Sequence, residues 1–133
     1  MTNSLTFENP AIETFLYENC IWNAKLPFYD EELKIYKCQL DKIAFIHHVE
    51  KPNELTELEN SLQNQKKNFI KIKKEIKEEE FEIVLKIHEC NAELYTQLQK
   101  LHNEIKSKFE QFEKTFFKLL NKLQSFIRIY AER

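Results

Sequence analysis

The side chains of this 133-residue chain that could do chemistry are four histidines, three cysteines and many carboxylates. Histidines paired with glutamates between helices could hold a metal or a redox centre. Di-iron bundles do this with inward glutamates and Glu-x-x-His pairs on facing helices. Here the residues three positions before His47, His48, His88 and His102 are Ala44, Phe45, Leu85 and Gln99, so that signature is absent. A non-standard site stays open at His47, His88 or His102 with nearby glutamates, because His47 falls on an apolar seam and His102 lies beside Leu101. The competing reading is a hydrogen-bonded core or boundary histidine, and it is the commoner one.

Cys20, Cys38 and Cys90 lack metal-ligand spacing. On one helix Cys20 and Cys38 stand roughly 27 Å apart at 1.5 Å per residue, too far to bridge. His88 and Cys90, two positions apart, do not face each other on a helix. Reduced thiols lining the core as small apolar groups are expected. No serine motif or paired-carboxylate site is legible, so no catalytic or cofactor-binding residue is assigned and no cofactor is expected. The densest basic run is Lys66, Lys67, Lys71, Lys73, Lys74 and Lys77, which could bind an acidic polymer or nucleic acid. On a helix these lysines fan around the solvent side of Phe69, Ile72 and Ile76, and Lys71–Glu75 and Lys74–Glu78 are i,i+4 pairs. A solvated face explains the run better.

Twenty basic against 22 acidic residues leave a net charge of −2, which disfavours nucleic acid as a partner. Residues 1–50 carry four Lys against eight Asp/Glu, whereas residues 100–133 carry eight Lys/Arg against four Glu. Antiparallel or intermolecular packing of these two arms is electrostatically favourable, although each exposed pair contributes little. The start, MTNSLTFENP, has no basic segment followed by an apolar run, and nothing approaches eighteen uninterrupted apolar residues. Neither a secretory leader nor a membrane span is expected, and the location is read as cytoplasmic.

The elements that must position these groups are helices. There is no glycine, which argues against tight hairpins and against Rossmann, P-loop and kinase phosphate loops. Hydrophobic residues at 42% supply a core despite 32% charge, which argues against disorder. Asn9-Pro10 reads as a helix cap followed by proline at the first helical position. From there a seam steps by three and four through Ile12, Phe15, Asn19, Trp22, Leu26, Tyr29, Leu33, Tyr36, Leu40, Ile43 and His47. Ile21, Phe28, Ile35 and Val49 are expected to widen that seam. Pro27 removes one backbone bond but the stripe keeps its phase, so one kinked helix is favoured over two.

Pro52 stops the first helix near His48–Lys51, and Asn53 with Glu54 and Glu57 reads as the next cap. A second apolar series then runs from Leu55 to Tyr130, with polar gaps at Gln65 and at Glu79 or Glu80 as its weak points. One helix of that length would span roughly 120 Å and could not cover its own seam. The chain must therefore turn back, at 88–93, where Asn91 tolerates a left-handed backbone, or at Lys77/Glu78, where a basic stretch meets an acidic one. The first is favoured, and an unbroken helix in an oligomer is the third possibility.

The pattern Trp22-x3-Leu26-x-Phe28-Tyr29-x2-Glu32-Leu33, with Asn68-Phe69-Ile70, Ile76, Ile83, His102-x2-Ile105 and Phe112-Glu113-Lys114-Thr115-Phe116, resembles small uncharacterised bacterial helical-bundle proteins. Those share a W-x3-L-x-F-Y-x2-E-L start and an F-E-K-x-F region near the C-terminus, and the resemblance covers roughly residues 19–130. It implies a bundle and no particular activity. Pro27 and the short link between the second and third helices depart from the pattern.

The expectation is an all-α, antiparallel up-down-up bundle of three long helices in a single domain over 1–133. Its parts are a tail at 1–9 and helices at 10–49, 53–89 and 92–131. Its core and interface residues are Asn19, Trp22, Leu26, Tyr29, Leu33, Phe69, Ile76, Phe112, Phe116 and Phe117. A buried Asn19 would fix register or oligomeric state, whereas Asn19 near a frayed end would face water. Phe117, one step round from Phe116, gives more apolar surface than one seam needs, which suggests a second copy as partner, most simply in a dimer. The function expected is a non-enzymatic structural or adaptor module acting on itself or on an unknown protein partner. The metal or redox bundle and the acidic-polymer binder are its rivals.

Overall fold

The computed structural model describes residues 10–89 and 92–131. They form three helices, α1 Pro10–Ile46, α2 Pro52–Lys86 and α3 Ala92–Ala131, with no strand among the described residues. Side-chain bridges fix the directions. Glu18 meets His102 and Tyr36 meets Gln124, so α1 and α3 run parallel. Asn23 meets Glu80 and Asp30 meets Lys66, so α2 runs against α1. The result is the up-down-up bundle, with its seams turned inward.

α1 runs unbroken through Pro27, which is exposed and lacks the N–H that the Asn23 carbonyl would accept from. It stops at Ile46, earlier than expected, and His47 N–H closes its last turn on the Ile43 carbonyl at 2.9 Å. The start of α2 also differs. Asn53 does not cap it; Pro52 occupies the first turn and the Lys51 carbonyl accepts from Glu54 N–H at 3.1 Å. Proline has no N–H to satisfy, so a side-chain cap is less needed there. α2 passes through Lys77/Glu78 without interruption, and the reversal falls between Lys86 and Ala92. Asn9, Cys90 and Asn91 lie outside the described residues.

The core is continuous from Leu55 and Tyr130 at one end to Trp22, Ile76 and Ile105, and a second apolar cluster of Ile12, Phe15, Ile83 and Leu98 closes the other end. Between the two clusters lies one polar layer. Each helix contributes its next seam residue to it: Asn19 between Phe15 and Trp22, Glu79 between Ile83 and Ile76, His102 between Leu98 and Ile105.

Candidate functional site

His102 is 1% exposed and sits between two aromatic rings, Phe15 at 4.3 Å and Trp22 at 5.1 Å between centroids. Its Nδ1 lies 2.5 Å from Glu79 Oε2 and its Nε2 lies 2.9 Å from Glu18 Oε1. Each contact to an ionised carboxylate needs an N–H, so the ring that satisfies both is the imidazolium. Glu18 also accepts from Lys106 Nζ at 2.9 Å, so two carboxylates face two cations and the local charge balances. Glu79 is 0% exposed, and a buried carboxylate requires such pairing. Asn19 is 1% exposed, and its amide atoms together with Glu79 Oε1 are buried without a hydrogen-bond partner.

The electrostatics follow from this geometry. Burial alone would push the His102 ring toward neutrality, but the hydrogen bonds it donates to the Glu79 and Glu18 carboxylates overcome that and hold the pKa above the ordinary 6.5. Burial would raise the Glu18 carboxyl, but Lys106 and His102 together hold it below 4.5. The linkage signs are opposite. The His102 contribution to stability is complete below 6.5 and is lost as pH rises through its raised folded value. The Glu18 contribution is present above 4.5 and is lost as pH falls through its lowered folded value. Urea midpoints measured across pH should therefore decline on the alkaline side of 6.5, and His102→Phe should flatten that decline. An unchanged alkaline slope in the variant would remove the imidazolium from the account.

Outside this layer the other buried polar seam residue, Gln65, donates Nε2–H to the Phe112 carbonyl at 3.1 Å. The two expected weak points, Gln65 and Glu79, are thus polar anchors inside the core. Tyr29 is buried against Phe116 at 4.7 Å and donates its hydroxyl to Glu113, which also takes Lys25 at 3.2 Å. Burial and then the Glu113 carboxylate push the Tyr29 phenol well above its ordinary value. Trp22, Leu26, Leu33, Phe69, Ile76, Phe112 and Phe116 are buried with it.

The metal candidates do not converge. His47 is half-buried at the far end of α1 against Tyr130, His88 is exposed, and His102 already spends both nitrogens on carboxylates. Among the described residues no group of three or more His, Cys, Asp or Glu is placed to hold a metal ion. Part of the lysine run is neutralised locally. Lys66 binds Asp30, and Lys74 faces Glu78 at 3.8 Å. Lys66 and Lys73 lie over the Phe69 ring. The broad groove here, about 920 Å³, is lined by five lysines and six acidic residues. That leaves little net field for an acidic polymer.

Two expectations about α1 are corrected. Cys20 and Cys38 are exposed, not core-lining. Ile21, Phe28 and Ile35 do not widen the buried seam; they lie on the opposite side of the helix and are exposed. With them the positions 17, 21, 24, 28, 31, 35, 38, 42 and 45 form a second stripe, spaced by alternating four and three, and every one is exposed. Only Glu31 and Lys42 in it are charged, while Tyr17 is 67% exposed, Phe28 61% and Phe45 92%. Phe117 on α3 is 46% exposed and, like Phe28, rests on the Tyr29 ring at 6.0 Å, so the apolar face continues onto α3. The sequence carried this signal: the same three-four rule, started at Tyr17 instead of Ile12, traces it.

No family model, curated protein or solved structure matches the chain, so the functional reading rests on its own residues. No helix among the described residues is long and apolar enough to cross a membrane.

Proposed function

We propose that this chain is a non-enzymatic structural or adaptor module that acts through helix–helix contacts and self-associates, with a dimer as the simplest assembly. The carrying observation is the second stripe of α1. A helix that is apolar on opposite sides belongs between two layers, and the bundle covers only one of them. Exposed apolar stripes of this extent mark interaction surfaces. The polar layer at Asn19, Glu79 and His102 suits such a role, because it fixes the helix register and so holds the outer face in one geometry. A reducing compartment such as the cytoplasm accords with the exposed thiols of Cys20 and Cys38.

Sedimentation tests the reading. Wild type should sediment at twice the 16.2 kDa chain mass, and Phe28→Glu, at an exposed site, should return it to one with its helical circular dichroism intact. A wild-type protein that stays monomeric at tens of micromolar, on the order of ordinary assay concentrations, would end the self-association reading.

A further inference from the structure

We infer that the occupant of the outer face of α1 is the same face of a second copy, docked antiparallel about a two-fold axis that passes between residues 29 and 30. This rests on the association reading above and adds to it the partner's direction and register.

The choice follows from where the stripe's charges fall. In a parallel pair each residue meets its own copy, so Glu31 would face the partner's Glu31 and Lys42 the partner's Lys42 inside the contact. Like charges meeting there are unfavourable, and the parallel arrangement offers no flanking pair of opposite sign in return. An antiparallel pair avoids both clashes. With the axis between residues 29 and 30, Ile21 meets the partner's Cys38, Ala24 meets the partner's Ile35, and Phe28 meets the stem of the partner's Glu31. Large packs on small at the first two of these pairs, and Tyr17 meets the stem of the partner's Lys42 at the seam's ends.

The flanking positions select this register over its neighbours. Lys25 and Glu32 occupy the same edge of the stripe, one heptad apart. The proposed register sets Lys25 opposite the partner's Glu32, twice by symmetry. A slip of one heptad one way sets Glu32 against the partner's Glu32, and a slip the other way sets Lys25 against the partner's Lys25. Only one of the three is complementary. Lys25 is already held at that edge by Glu113 at 3.2 Å, so it is ordered before the partner arrives. Phe117 lies on the same side, where the partner's α1 would cover it.

Cysteine cross-linking reads direction and register together. In a Cys20→Ser, Cys90→Ser background, Cys38 alone should give no covalent dimer with copper–phenanthroline, since antiparallel copies keep the two thiols far apart. Adding Ile21→Cys, a conservative change at an exposed position, should produce the disulfide dimer on a non-reducing gel. Glu32→Lys should weaken the dimer at least about tenfold, and Lys25→Glu added to it should restore most of that loss. Efficient cross-linking through Cys38 alone would establish the parallel pair and overturn the inference. A dimeric mass without the Ile21→Cys product overturns the register while leaving self-association standing, whereas a monomeric mass removes both.

Discussion

Glu79→Ala should cost about 3–5 kcal/mol of unfolding free energy, the range for removing one partner from a buried ion pair. Of the net stability of a domain this size, on the order of 5–15 kcal/mol, that is a large share. The reason is location. Glu79 is 0% exposed and its Oε2 holds His102 Nδ1 at 2.5 Å in the space enclosed between the three helices. Without it the imidazolium keeps only Glu18, and a void opens between Ile83 and Ile76. Glu79→Gln, which keeps the volume and one acceptor, should lose less. Glu79→Leu combined with His102→Phe should recover most of the loss, because Phe15 and Trp22 already offer ring faces to that position. Urea midpoints with unchanged slopes decide it, and a Glu79→Ala loss under about 1 kcal/mol would show that the layer does not anchor the bundle.

The same layer explains how much of this protein was legible in its sequence. Periodicity found the buried seams because apolar residues at three-four spacing have one cheap place to go, so Leu26, Phe69 and Phe116 are where the pattern puts them. Absence of glycine and the length of the second apolar series forced the reversal. Periodicity could not tell an interruption from an anchor. Glu79 breaks the apolar series as seen along α2, and only His102 on α3, itself held by Glu18 on α1, gives its Oε2 a partner. His102 lies 23 residues after Glu79, and Glu18 lies 84 residues before His102. Asn19 is the middle case: its seam position was evident, but burial depended on α1 remaining covered near its start. The outer stripe was missed for a different reason. A helix with apolar residues on two faces offers two self-consistent phases, and choosing the longer one assigns Ile21, Phe28 and Ile35 to the wrong side.

The aromatic residues tie these features into one column. Phe15 stacks on His102, His102 on Trp22, Trp22 on Phe109, and the series continues through Phe112 to Phe116 and Tyr29. Polar layer and apolar core therefore share a wall. The column joins α1 to α3 through Phe15, Trp22 and Tyr29 on one side and His102, Phe109 and Phe116 on the other.

Trp22→Ala should be as damaging as the loss of Glu79, by about 3–5 kcal/mol, and for two coupled reasons. Trp22 is the only tryptophan and is 6% exposed, with ring centroids 5.1 Å from His102 and 5.4 Å from Phe109. Truncation leaves a large cavity that rigid helices cannot close. It also removes one of the two ring faces that shield the His102–Glu79 pair, so water reaches the pair and weakens its attraction. The second effect makes the losses non-additive. Once Trp22 is gone the ion pair is already screened, and removing Glu79 as well should cost less than it does in wild type. A double-mutant cycle should show about 0.5–3 kcal/mol of coupling, whereas Leu40→Ala, in the same core cluster but outside the aromatic column, should add to Glu79→Ala with little coupling. Equal coupling at Leu40 and Trp22 would mean a generally softened core and not a shared wall.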